Sequence, residues 1–91
     1  MRYEYDIMEN YLKRFKGFEY RKCGKYMYLI NDIITIKIVF MLEIRFFYKE
    51  KLIATKDTYL LNREQTREQI RRCVKIARKL TKRNLKGGRC L

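Results

Sequence analysis

The sequence predicts an α+β fold: one helix, a three-stranded antiparallel sheet and a basic C-terminal helix, in αβββα order with both helices on one sheet face. Three observations predict it. Apolar residues recur at three- and four-residue spacing near the start and again after Asn62, whereas between Phe18 and Lys56 the period falls to two. The chain has no proline and only four glycines, Gly17, Gly24, Gly87 and Gly88, so few internal breaks divide it. Its 91 residues, 47% hydrophobic with eight Tyr and five Phe, are enough for one core and not for two. The expected organisation is a single domain over residues 1–84 and a flexible tail over 85–91.

The first helix is expected from about Asp6 to Lys16, where Ile7, Met8, Tyr11, Leu12 and Phe15 form one apolar face, with Gly17 as its stop. Phe18 to Ile30 reads as a first strand. Ile33 to Phe47 reads as one long second strand, because Ile34, Ile36, Ile38, Phe40, Leu42, Ile44 and Phe46 alternate with Thr35, Lys37, Glu43 and Arg45. A tight Asn31-Asp32 turn between these strands would pair Leu29 with Ile34 and Met27 with Ile36. The opposite face would then carry Tyr20, Tyr26, Tyr28, Thr35, Lys37 and Arg45. A turn at Lys49-Glu50-Lys51 leads to a third strand from Lys51 to Lys56.

The last helix is expected from Asn62 to Lys82, with Asn62 as N-cap, Gln65 three residues on, and Glu64 and Glu68 near its positive end. Ile70, Cys73, Val74, Ile76, Ala77 and Leu80 share an apolar arc. Arg67, Arg71, Arg72, Lys75, Arg78, Lys79, Lys82 and Arg83 fill the other.

Charge is the strongest functional signal. The chain holds 23 Lys and Arg against 10 acids, net +13, and attracts polyanions. It is unevenly placed: residues 1–61 carry 12 basic and 8 acidic side chains, while residues 62–91 carry 11 and 2. From Arg71 to Arg83 there are seven cations and no acid. Such an arc is either a solvated face or a phosphate-binding one, and the mutual repulsion of like charges at helical spacing favours the second. The Tyr20, Tyr26, Tyr28, Lys37 and Arg45 face is a candidate stacking platform for unpaired bases, or simply the tyrosine content usual in sheets.

Several classes are excluded or disfavoured. The chain lacks both histidine and serine, so no catalytic triad or Cys-His dyad can form. Cys23, Cys73 and Cys90 make no CxxC pair, so no metal site is expected, and without a phosphate-loop motif no cofactor is expected either. Asp32 followed by Glu43-Ile44-Arg45 resembles the Asp…Glu-x-Lys metal site of many nucleases, but Arg45 cannot handle a proton as lysine does. No enzyme is expected. The free cysteines suit a reducing compartment, and the Arg2, Glu4, Asp6 and Glu9 charges leave no signal-peptide core. The Ile33–Tyr48 run is too short and too charged to span a membrane. A membrane-surface role is disfavoured too, since the apolar helix arc has no bulky aromatic anchor.

The order helix, three strands, helix is similar to that of double-stranded RNA-binding domains, which implies recognition of duplex RNA by shape. The sequence departs from that family where its second helix begins, reading NREQTREQ in place of a Lys-Lys-x-Ala-Lys cluster, and it lacks the Gly-Pro-x-His stretch. The resulting expectation is a non-catalytic nucleic-acid-binding protein, RNA favoured over DNA, acting through the C-terminal helix. The alternative is an inhibitor or adaptor docking on an acidic protein groove, with Phe46, Phe47, Tyr48 and Tyr59 as anchors. Abundant Ile, Lys, Tyr and Asn fit an AT-rich genome, viral or mobile, and hence the cytoplasm, of a host if viral. The long hairpin would also permit a homodimer by exchange between protomers, because its arm exceeds the ~5–6 residues usual for a strand.

Overall fold

The computed structural model describes the backbone of residues 2–90 and the side chains of residues 5–84. Its elements are α1 (Arg2–Leu12), β1 (Glu19–Cys23), β2 (Tyr26–Ile30), β3 (Ile34–Val39), β4 (Glu43–Tyr48), β5 (Lys51–Asp57) and α2 (Arg63–Cys90). They fall into two compact units, Met1–Leu60 with α1 and the sheet, and Leu61–Leu91 with α2.

The sheet has five strands, not three, in the order β1-β2-β3-β4-β5 and antiparallel throughout. Each of the two expected long strands is a hairpin. The first breaks at Gly24-Lys25, where Gly24 has φ +60° and Cys23 pairs with Tyr26. A glycine tolerates that left-handed conformation at no steric cost. The second breaks at Phe40–Leu42: the Leu42 N–H donates to the Val39 carbonyl at 2.9 Å, and Met41 takes φ 62°. A side chain in that region costs roughly 1–2 kcal/mol, which the flanking β3–β4 ladder must offset. These turns overturn the αβββα order and, with it, the likeness to double-stranded RNA-binding domains.

The Asn31 region turns as expected but in another register. The Asn31 side-chain oxygen accepts from the Ile33 and Ile34 N–H groups at 3.0 and 2.8 Å, and the Asn31 N–H donates to the Ile34 carbonyl. Leu29 therefore opposes Ile36 and Met27 opposes Ile38, a shift of two residues that keeps the side chains of β2 and β3 on their expected faces. Lys49 and Glu50 turn the chain into β5 with φ 49° and 69°, the paired left-handed geometry of a type I′ hairpin.

Met27, Leu29, Ile34, Ile36, Ile38, Ile44 and Phe46 form the buried face of the sheet. Phe40 and Leu42, expected there, sit in the turn instead; Phe40 is half-buried and Leu42 exposed. Across this face lies α1, whose Met8 and Leu12 are buried. Its Tyr5 ring meets Phe40 edge-on at 5.3 Å, and the Tyr5 hydroxyl donates to the Gly24 carbonyl. The helix starts and ends four residues earlier than the periodicity implied. Beyond Leu12, Arg14 and Phe15 turn through i→i−3 bonds, and Gly17 adopts φ +87°.

Every residue of the edge strand β5 is exposed. Its lysines, Lys51 and Lys56, and a bulge opposite Phe46-Phe47 blunt the edge against pairing with another chain. The second unit is one helix, and Ile70, Val74 and Ala77 are its buried stripe.

Candidate nucleic-acid interface

The start of α2 is fixed by a reciprocal cap. The Gln65 N–H donates to Asn62 Oδ1 at 2.8 Å, while the Asn62 N–H donates to Gln65 Oε1 at 3.0 Å. Both of these N–H groups lack a helical carbonyl, so each bond satisfies a donor that would otherwise be orphaned. Within the helix, Thr81 Oγ1 donates back to the Ala77 carbonyl at 2.8 Å. The helical backbone reaches Cys90, beyond the Lys82 expected; the side chains from 85 onward, and with them the flexible tail expected there, lie outside the described residues.

At ~100° per residue, Ile70, Val74 and Ala77 centre the buried stripe. Arg71, Arg72, Lys75, Arg78, Lys79, Lys82 and Arg83 are all exposed and occupy about 140° of the opposite circumference. Two expected assignments change. Arg67 falls beside Val74 and is half-buried, so it flanks the arc and does not belong to it. Ile76 is 52% exposed, at the margin of the cationic arc and outside the apolar one.

Glu68 lies against the arc: it accepts from Arg71 at 2.7 Å and lies 3.5 Å from Arg72. The Arg71 hydrogen bond, more than any other influence, holds its carboxyl below the usual glutamate range. Among the described residues, no carboxylate pairs with Lys75, Lys79, Lys82 or Arg83. Cys73, half-buried beside the stripe, has its thiol pushed up by burial and is a poor nucleophile.

The open face of the sheet differs. In register, one row holds Arg21, Tyr28, Lys37, Arg45 and Thr55, and the next holds Cys23, Tyr26, Val39, Glu43 and Asp57. The Lys37 ammonium stands 4.3 Å from the Tyr26 ring centroid. Arg21 pairs with Glu19 and Arg45 with Glu43. The three strand cations of this face are thus matched by three carboxylates, Glu19, Glu43 and Asp57.

Tyr20 is not on this face. It opposes Leu29, on the side covered by α1, and its hydroxyl donates to Glu9 Oε2 at 2.8 Å. Burial first, then Glu9, holds that hydroxyl well above the usual tyrosine range. Lys22 completes the cluster, 3.8 Å from Glu9 and over the Tyr5 ring. Tyr20 therefore fastens α1 to β1 and cannot join Tyr26 and Tyr28 as a stacking surface.

The nuclease-like residues are also separated. Asp32 precedes β3, whereas Glu43 pairs with Val39 at its far end, and β3 alone spans roughly 17 Å at ~3.3 Å per residue. No group of three or more metal-ligating side chains occurs among the described residues. No helix among them is long and apolar enough to cross a membrane.

One surface has no local signal in the sequence. The Thr58 N–H donates to the Leu42 carbonyl at 2.8 Å and brings Met41, Leu42, Tyr59 and Leu60 to one end of the sheet. All four are exposed, Leu60 by 82%. Of the expected protein-binding aromatics, only Tyr59 is in this group; Phe46 is core, and Phe47 and Tyr48 are half-buried strand residues. Comparison with protein families, with curated proteins and with solved structures finds no match for this chain.

Proposed function

We propose that the chain is a non-catalytic nucleic-acid-binding protein that contacts phosphates through α2. The single observation carrying this reading is the run of seven exposed cations from Arg71 to Arg83, with Glu68 at its start. Each cation brought to a phosphate displaces condensed counterions, so five to seven contacts give a log-log salt slope of roughly −4.5 to −6 on duplex DNA. The preference for RNA rested on a three-stranded architecture; with five strands that argument lapses, and phosphate contact alone favours neither polymer.

The reading is tested by fluorescence anisotropy on a labelled 16-base-pair duplex and its single strand, across a salt series. Lys75→Glu with Lys79→Glu should abolish tight binding while circular dichroism stays native, because both residues are exposed. Unchanged affinity in that variant would remove α2 from the interface.

The exposed Met41, Leu42, Tyr59 and Leu60 group supports a second reading, a protein-docking adaptor, since clustered apolar side chains are typical anchors of such contacts. It predicts that Tyr59→Ala with Leu60→Ser abolishes a protein interaction and leaves nucleic-acid affinity unchanged.

A further inference from the structure

The seven cations of the α2 arc are arranged in two rows. Arg71, Lys75, Arg78 and Lys82 follow one another at spacings of four, three and four, and centre on one line along the helix. Arg72, Lys79 and Arg83 follow at seven and four, and centre on a second line about 90° away at ~100° per residue. All seven are exposed. Glu68, reaching Arg71 on one side and Arg72 on the other, marks the valley between the rows at their beginning.

One row suits a ligand with one charged edge, such as a single strand lying along the helix. Two rows on opposite shoulders suit a ligand with two charged walls. A helix with its side chains is ~10–12 Å across, and the B-DNA major groove is ~12 Å wide with a phosphate chain on each side. The Lys and Arg stems extend outward from each shoulder to those walls. From Arg71 to Arg83 the helix advances roughly 18 Å, about five base pairs at 3.4 Å each. The major groove of A-form RNA is deep and too narrow for side chains to read, and its shallow minor groove offers no walls to straddle.

From this geometry we infer that the ligand of α2 is B-form duplex DNA, entered through the major groove with one cation row on each phosphate chain. The inference rests on phosphate contact by α2 and names the polymer and the groove.

The experiment measures affinity for a 16-base-pair DNA duplex, the RNA duplex of the same sequence, and the DNA duplex carrying glucosylated hydroxymethylcytosine, which fills the major groove. The minor-groove ligand distamycin is added as a competitor in a fourth arm. The expected result is at least ~10-fold tighter binding to unmodified DNA than to RNA, a similar loss on the glucosylated duplex, and no displacement by distamycin. Neutralising three cations of either row alone, Arg71, Arg78 and Lys82 to Gln or Arg72, Lys79 and Arg83 to Gln, should lower the salt slope by about 2.7, three phosphates at ~0.9 each. RNA binding equal to or tighter than DNA, displacement by distamycin, or a row whose loss leaves the slope unchanged would overturn the inference while leaving phosphate binding standing. Failure to bind any duplex would overturn the inference, and failure to bind the single strand as well would overturn both.

Discussion

The open face of the sheet and the exposed arc of α2 are both rich in Lys and Arg, yet only one of them presents net charge. On the sheet, the two-residue alternation of each strand sets Arg21 beside Glu19 and Arg45 beside Glu43, and Lys37 is turned onto Tyr26. On α2, helical periodicity gathers the seven cations from Arg71 to Arg83 onto one side, in a run that contains no acid. A surface field depends on which charges share a face, so a count of basic residues in a sequence segment measures it poorly. Surface ion pairs contribute little to stability, with a median near 0–1 kcal/mol. Their main consequence here is to mask the cations they hold.

Four measurements break or sharpen that contrast. The largest effect is expected from Lys75→Glu with Lys79→Glu, about a 100-fold loss of duplex affinity at 0.1 M salt, read by anisotropy; a loss below about threefold would mean that α2 is no more exposed to the ligand than the sheet. Next, Glu68→Gln removes the carboxylate that holds Arg71 and Arg72, and should raise affinity about threefold to tenfold. On the sheet, Tyr28→Ala and Lys37→Glu should each change affinity less than twofold. A loss of ~1–3 kcal/mol for Tyr28→Ala would instead identify a base stacked on that face. The smallest effect is with pH: without histidine, affinity should stay flat from pH 6 to 8. Because the folded-state pKa of Glu68 is depressed, its grip on the arginines is kept through the ordinary glutamate range and lost only in stronger acid, where affinity should rise.

Much of this was legible in the sequence, and the failures share a cause. The N-cap, the buried stripe of α2 and its cationic side follow from capping chemistry and a 3.6-residue period, both local. The turn between β3 and β4 was invisible because Phe40-Met41-Leu42 contains no turn residue. Ile38 also opposes Ile44 and Ile36 opposes Phe46: even positions pair with even ones, so the two-residue alternation passes through the reversal undisturbed. At Gly24-Lys25 the opposite holds. Cys23 opposes Tyr26, even positions pair with odd ones, and Tyr20 is carried to the face of Leu29. Gly24 was the available signal, and alternation alone placed Tyr20 wrongly. The Met41, Leu42, Tyr59 and Leu60 surface joins two distant segments through a backbone bond, which no local period encodes.

The order of the strands has a consequence for how the protein is made. Every strand pairs with its neighbour in sequence, so each pairing closes a short loop, and short closures form quickly. A chain emerging at ~5–20 residues per second can zip its five strands in order of synthesis, hairpin by hairpin. The cationic helix follows the whole of the sheet in the chain. The apolar strands can therefore find one another before the segment that attracts polyanions has been translated, and the nascent chain is spared a competition between folding and capture by nucleic acid.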